Sequence, residues 1–400
     1  MKYLMLGAAI AVAATTPASA QTLSPARTAA IEATARTAMA RTGAKGLAIA
    51  LIEDGRPVLV RAYGSRNAKG DPLRPDTIMY GASLTKAVFG YLVMQLAQEG
   101  RLDLDAPIAR MLPKPLPEYG NLDAYGNWGD LVDDPRWRKI TPRMALNHAT
   151  GFANFAFLEP DRKLRIHFEP GSRYAYSGEG IMLLQFALEK GLGLDVQGEL
   201  QRRVFAPLGM THTSLIWRDD FAANLADGWT ADGSVEPHDE RSRVRAAGSM
   251  DTTIEDFAKF AGAYVRGFGL TKASRAAMVR PTLPITTRGQ FPTLQPELPA
   301  EQRLKGVGAA LGIVAFNGPQ GPGFYKGGHN DTTGNTWVCL ENGRRCAVIL
   351  ANDVRAEAAF PMLVAKMLGE TGAPWTWEYG PQASETLSAA PDPKSQPATG

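Results

Sequence analysis

The strand-like segments of this chain lie at its two ends. Near the start, "GLAIALIEDGRPVLVRAYG" carries β-branched and apolar residues on either side of Asp54-Gly55, a tight-turn pair, and reads as two joined strands. Near the end, "GAALGIVAF", "GFYKGGH", "NTWVCLE" and "RCAVILAND" form a second series of strands. Between them, from about 141 to 280, segments such as "GIMLLQFALEKGLG" and "TIEDFAKFAGAYVRGF" have helical spacing. Strands at both ends and helices between them constrain the fold to one sheet assembled from the two chain ends, with a helical domain inserted into it. The fold class is therefore α/β (α+β). The expected sheet-containing domain comprises 21–88 plus 285–380, and the inserted helical domain 89–284. The hydrophobic share of 44% is enough to fill a core of that size.

Smaller features complete the outline. Ser24 and Pro25 open a helix that runs to about Arg41, the pattern at 356–369 predicts a last helix, and 281–307 returns to loop composition. Residues 113–138 form a long loop rich in proline, glycine and aromatics, with Tyr125 and Trp128 as candidates for a pocket wall. The first twenty residues read as a secretory leader: Lys2, the apolar "YLMLGAAIAVAA", then Ala18-Ser19-Ala20 ahead of a cut. The apolar run is short for a membrane span and Gln21 is not a lipid-accepting cysteine, so the expectation is an exported protein, periplasmic or secreted, without a membrane anchor. Residues 381–400, rich in Pro, Ser and Ala, predict a disordered tail. The formal charge is only +3, with basic residues scattered, so no nucleic-acid partner is expected. Cys339 and Cys346 flank Asn342-Gly343, a two-residue turn that sets them opposite each other. That register makes them a wide, hydrogen-bonded pair, leaving both a cross-strand disulfide and two buried thiols open.

The chemistry begins at "TIMYGASLTKAVFGYLVMQLAQEG". Ser83 stands at the start of an apolar helix, as a capping residue would. Lys86 lies three residues on, where a cation opposes the helix dipole and abuts an apolar face. A lysine one turn from a serine shares its face, and near apolar surface and other positive charge its amine can act as a base. Ser83-Leu84-Thr85-Lys86 thus fits a nucleophile with its proton partner. The pattern alone recurs by chance, so two further groups matter. "YAYSGEG" places Tyr176 at a helix start, where it can relay a proton or simply fill the core. "FYKGGHN" places Lys326 on a strand, followed by Gly327 and Gly328, which admit a substrate backbone or mark a bulge.

With "ITPRMALNHATGF", "FAPLGMTHTSL" and "AAGSMDTTIEDFAKF" in the same order, the chain resembles the serine β-lactamase-related superfamily: class C β-lactamases, D-alanyl-D-alanine carboxypeptidases, D-aminopeptidases and family VIII carboxylesterases. The resemblance runs from about 24 to 375. It implies a β-lactamase/transpeptidase-like fold, an antiparallel sheet flanked by helices, and an acyl-enzyme on Ser83. By the same resemblance Lys86 is the proton partner, and Tyr176 the base in acylation and acid toward the leaving group. Lys326-Gly327-Gly328 corresponds to the Lys-Thr-Gly strand, and the N–H groups of Ser83 and His329 to the oxyanion hole. Two departures stand out. Gly178 occupies the place of the asparagine in Tyr-x-Asn, and Gly327 that of the strand threonine. Both remove polar recognition of an amide or β-lactam and shift the expectation toward small esters, ahead of D-amino-acid peptides or β-lactams. Glu179 is a candidate to replace the lost contact.

Other readings are narrower. No G-x-S-x-G occurs, so a nucleophile elbow is absent. His329 is read as held by a neighbouring loop and His148 as fastening a helix end. His167, His212 and His238 form no metal motif, so no metal or other cofactor is expected. A catalytically silent binder of peptidoglycan fragments or of a protein partner is the alternative from another class.

Overall fold

Ser24 and Pro25 start the first helix as their types require. In the computed structural model, which describes residues 23–381 and 383, α1 spans Pro25–Thr42 and the Ser24 hydroxyl accepts from the Arg27 N–H at 3.3 Å. Gly43, in the left-handed region at φ 72°, ends it. Strands β1 (Gly46–Glu53) and β2 (Arg56–Gly64) follow, turned by Asp54 and Gly55, both at positive φ as a type I′ turn demands. The leader read over 1–20 lies outside the described residues, as does the tail from 384. Ala383 is buried and its N–H donates to Gly380 O, so packing continues beyond the expected start of the tail at 381.

Six more strands come from the C-terminal part: β3 (Leu283–Pro284), β4 (Val307–Ala309), β5 (Val314–Gly318), β6 (Gly321–His329), β7 (Gly334–Leu340) and β8 (Arg345–Ala351). They join β1 and β2 in one antiparallel sheet of order β2-β1-β8-β7-β6-β5-β4-β3. Each strand divides its side chains between two cores. Leu47, Ile49 and Leu51 face α1 and α8 (Phe360–Leu368), whereas Ala48, Ala50 and Ile52 face α2 (Leu84–Gln98) and α6 (Ile254–Arg266). In β6 the same alternation puts Phe324 on the α2 side and Tyr325 on the α1 side, and Lys326, two residues beyond Phe324, returns to the α2 side.

The middle of the chain is less helical than its composition predicts. α3 covers only Pro142–Leu146; α4 (Gly178–Phe186) runs on as a π-helix over Ala187–Gly191 and α5 (Val196–Leu200) over Gln201–Phe205, with α7 at Lys272–Val279. Residues 99–141 and 147–177 run through short turns and loops, because prolines at 107, 113, 115, 117, 135, 160 and 170 remove the donors a longer helix needs. The last helix begins later than read, at Phe360, after a tight turn over Val354–Ala359. One further short helix, α9 (Trp375–Tyr379), lies beyond it.

Cys339 and Cys346 are opposite each other and bonded as a disulfide. The loop between the strands is longer than the two residues expected, since Leu340 and Arg345 form the last pair and Glu341–Arg344 turn. The cysteine Cα atoms are 4.1 Å apart, the narrow separation of a non-hydrogen-bonded pair, so the register objection to a disulfide falls away.

Candidate active site

Ser83 precedes α2 without capping it. Its backbone is helical, and its side chain makes no cap bond. Instead Lys86 Nζ donates to Ser83 Oγ at 2.9 Å. Ala82, at φ 46°, gives the chain a sharp turn into the helix, and Thr85 pins that turn by donating to Ala82 O and accepting from Met250 N at 3.1 Å. Lys86 is fully buried and also donates to Ala247 O. Burial, with the neighbouring Lys326 charge, pushes its amine well below the usual lysine range. The weaker hold on a proton eases the dipole penalty that a cation in the first turn would incur.

Tyr176 reaches the same point from the other side. Ser177 caps α4, accepting from Gly180 N at 3.0 Å and donating to Ala153 O at 2.8 Å, which fixes the residue before it. The Tyr176 ring lies between two lysines, with Lys86 Nζ 4.9 Å and Lys326 Nζ 5.1 Å from its centroid. Lys326 Nζ is 3.5 Å from Tyr176 Oη and donates to Gly327 O at 2.6 Å. Burial drives the Tyr176 phenol far above its ordinary value, against the opposing effect of its hydrogen bond with Ser83. Burial also lowers Lys326 to about 8, partly offset by Glu378. The two shifts run in opposite senses, favouring the neutral form of the Lys86 amine and the protonated form of the Tyr176 phenol. His148 fastens the end of α3 as read: Nδ1 is 3.2 Å from the Ser177 backbone, and the ring packs 4.5 Å from that of Tyr176.

The strand glycines answer to close neighbours. A Cβ on Gly328 would lie 3.0 Å from Ser83 N and 2.9 Å from Leu84 N, so only glycine lets β6 press against the turn at Ser83. A Cβ on Gly327 would lie 2.1 Å from Glu378 Oε1. His329 sends Nδ1 to Glu357 Oε1 at 3.0 Å, an engaged side chain as expected. Burial opposes its charging, but the Glu357 carboxylate wins and raises it above the ordinary histidine value.

Ser83, Lys86, Tyr176 and residues 326–329 line one cleft of about 1270 Å³, whereas His148 and Gly178 do not. The place next to Gly178 is taken by Phe155: a Cβ there would lie 2.4 Å from two of its ring carbons. Phe155 stacks on Phe157, 5.2 Å and 10° apart, and with Phe291 and Tyr125 they give the cleft an aromatic wall. Glu179 lines it too, its Oε1 accepting from Ala156 N at 2.8 Å, and burial raises its carboxyl. Asn154 Oδ1 accepts from Gly178 N at 2.9 Å and brings a carboxamide to the cleft. Trp128 is a correction. It is wholly buried against Phe186 and does not line the cleft, because Gly126 leaves room for its ring to turn into the core. Glu378, Phe155, Asn154 and Phe291 carry no motif in the sequence. The only hint is the lone acid of "WTWEYG" among three aromatics.

Among the described residues no group of three His, Cys, Asp or Glu is placed to hold a metal, and no helix is long and apolar enough to cross a membrane. The model of the Beta-lactamase family matches residues 31–366. The chain is 28% identical over 200 residues to lovastatin esterase of Penicillium rubens, covering 43% of this chain and 49% of that protein. It is 26% identical over 202 residues to esterase EstB of Burkholderia gladioli, covering 45% and 50%. To monacolin J acid methylbutanoyltransferase of Aspergillus terreus it is 29% identical over 220 residues, covering 47% and 52%. The chain thus spans about half the length of these curated relatives. Among solved structures, the octameric penicillin-binding protein homologue from Pyrococcus abyssi superposes with a TM-score of 0.68 at 18% identity, over 86% of this chain and 78% of that one. That likeness concerns the fold.

Proposed function

This chain belongs to the beta-lactamase family, and we propose that it is an exported serine hydrolase whose substrates are small carboxylic esters. The observation that carries the reading is the 2.9 Å contact between Ser83 Oγ and the buried amine of Lys86. A serine hydroxyl beside a neutral, desolvated amine is an activated nucleophile. Ser83 Oγ attacks the ester carbonyl carbon as its proton passes to Lys86 Nζ. The N–H groups of Ser83 and His329 receive the developing oxyanion, a type of contact commonly worth about 3 kcal/mol of barrier. Collapse breaks the bond to the leaving oxygen, which takes a proton from Tyr176. Lys86, 4.9 Å from that ring, returns the proton to Tyr176. Water then attacks the acyl-enzyme by the same steps in reverse and frees Ser83.

Esters are favoured over amides and β-lactams because the two recognition positions are differently filled. A ring stands beside Gly178 and a carboxylate beside Gly327, neither of them an amide or hydroxyl donor, and the one carboxamide close by, Asn154, has its oxygen engaged by the Gly178 N–H. The esterase names of two relatives point the same way. A second reading, transfer of the acyl group to an alcohol instead of water, draws on the acyltransferase relative and on a cleft roomy enough for an acceptor. Export rests on the leader pattern of the first twenty residues.

The test is intact-mass spectrometry after exposure to p-nitrophenyl butyrate, a fluorophosphonate and a penicillin, with Ser83→Ala alongside. Ester turnover and fluorophosphonate labelling lost in the variant, without a lasting penicillin adduct or penicillin hydrolysis, are expected. A stable penicillin adduct would place the enzyme with the carboxypeptidases, and silence toward all three probes with the binders.

A further inference from the structure

Glu378 belongs to no motif, yet it stands at the centre of the site. It is carried by α9, whose neighbours Trp377 and Tyr379 pack into the core on the α1 side of the sheet. The carboxyl group is buried, and one oxygen accepts from Tyr325 Oη at 3.3 Å. The other lies 2.1 Å from the point a Cβ on Gly327 would occupy. The missing side chain of Gly327 is what lets this carboxylate through to the cleft that also holds Ser83, Lys86, Tyr176 and Lys326. Any larger residue at 327 would close the opening.

This changes the charge a substrate meets. Lys326 on its own would present an ammonium beside Tyr176 and attract anions. The Glu378 charge, within electrostatic reach of Lys326, offsets that attraction, and the Lys326 ammonium is already donating to Gly327 O. The other cations lining the cleft are differently placed. Arg241 stacks on the Tyr80 ring at 3.6 Å and pairs with Asp251 at 3.3 Å, Arg245 acts on the Glu179 carboxyl, and Arg162 is exposed to solvent. Lys326 Nζ is 3.5 Å from Tyr176 Oη, and the Glu378 charge acts on both groups, which puts it within electrostatic reach of the phenol that protonates the leaving group.

We propose that Glu378 is a specificity-determining residue of this site: its carboxylate, filling the side-chain place at Gly327, rejects esters whose leaving group carries a carboxylate and admits neutral and cationic ones. The proposal rests on the serine-hydrolase reading above.

The experiment compares three esters of one acid, phenyl butyrate, 3-carboxyphenyl butyrate and 3-(trimethylammonio)phenyl butyrate. Each kcat/KM is divided by the ester's own alkaline hydrolysis rate to remove intrinsic reactivity. The wild-type enzyme is expected to favour the neutral and cationic esters over the anionic one by about tenfold, the effect of two like charges roughly 12 Å apart at an effective dielectric of about 20. Glu378→Gln keeps the shape and is expected to reduce that ratio about tenfold. Wild-type enzyme that takes the anionic ester as well as the neutral one overturns the proposal, and so does a Gln variant with an unchanged ratio. Should the variant fail to fold, the wild-type order of the three esters decides. Fluorophosphonate labelling at Ser83 separates the two levels. A labelled, active enzyme indifferent to charge removes the proposal alone, whereas no labelling and no turnover of any ester removes the hydrolase reading and the proposal with it.

Discussion

Gly178→Asn restores the family's usual residue and, in this structure, should fail for a local reason. The backbone tolerates it, since Gly178 is the first residue of α4 and is not at positive φ. The obstacle is Phe155, whose ring carbons Cε1 and Cζ would be 2.4 Å from the new Cβ. Ordinary contact begins near 3.4 Å, so the ring must retreat by about 1 Å, pushing on the Phe157 ring stacked 5.2 Å away. Overpacking of that size costs about 1–3 kcal/mol. Phe157 is 55% exposed and can yield, which places the expected cost in the lower half of that range. Phe155→Ala removes these two ring carbons, and Asn154 O, 3.1 Å from the Cβ, is the next neighbour. Urea unfolding of the wild type, the two single variants and the double variant closes a cycle, and contacting residues of this kind couple by about 1–2 kcal/mol. The double variant should therefore be more stable than the sum of the singles predicts. Its ratio of p-nitroanilide to p-nitrophenyl ester turnover should rise, because the asparagine amide then reaches the cleft. Strict additivity, or a single Gly178→Asn that costs nothing, would refute the claim that the ring holds this place.

Trp128→Ala should destabilise by about 3–5 kcal/mol in urea unfolding, as for other large buried aromatics, while leaving the order of acyl-chain preference intact; a changed preference with unchanged stability would put the indole back in the pocket wall. Tyr125→Phe should cost only about 1 kcal/mol for the lost 2.7 Å bond to Glu189. Lys326 is held at about 8 when folded, below its ordinary 10.5, so between those values the unfolded chain binds more protons and stability rises with pH. The gain over Lys326→Met should approach about 3 kcal/mol by pH 10, and kcat/KM should fall above pH 8 as the ammonium facing Tyr176 is lost; a stability difference flat in pH would contradict the buried charge. Replacing Cys339 and Cys346 by alanine opens a loop of sequence separation 7 and should cost about 2–3 kcal/mol by chain entropy, measured by urea unfolding against the oxidised wild type.

What could be read from the sequence is what local spacing determines. Apolar and β-branched runs broken by Asp54-Gly55 gave β1 and β2, because alternation and turn chemistry act over a few residues. Ser83 and Lys86 share a helix face by their spacing alone, and the structure sets them 2.9 Å apart. Trp128 misled because an aromatic in a long loop looks the same whether its ring turns out or in. Here Gly126 and Phe186 decide, and neither reveals this in one dimension. The loop of the cysteine hairpin grew from two residues to four, which moved the pair from a wide to a narrow site without changing who faces whom. Glu378 was out of reach for a different cause. It enters the site through a gap in another strand, fifty-one residues away in the chain.

The two glycines that break the family pattern have one explanation. At Gly178 the space is filled by the Phe155 ring, and at Gly327 by the Glu378 carboxylate. Decay of a recognition site would leave holes, which cost stability without return. These positions are occupied, one by apolar surface and one by charge. The buried lysines also speak against a silent binder. Keeping Lys86 and Lys326 buried is costly, since each must lose much of its affinity for a proton to be there. A binding cleft gains nothing from that expense, because exposed cations attract ligands at no such cost. A nucleophile needs a neutral amine at 2.9 Å, and burial is how a lysine becomes one at neutral pH.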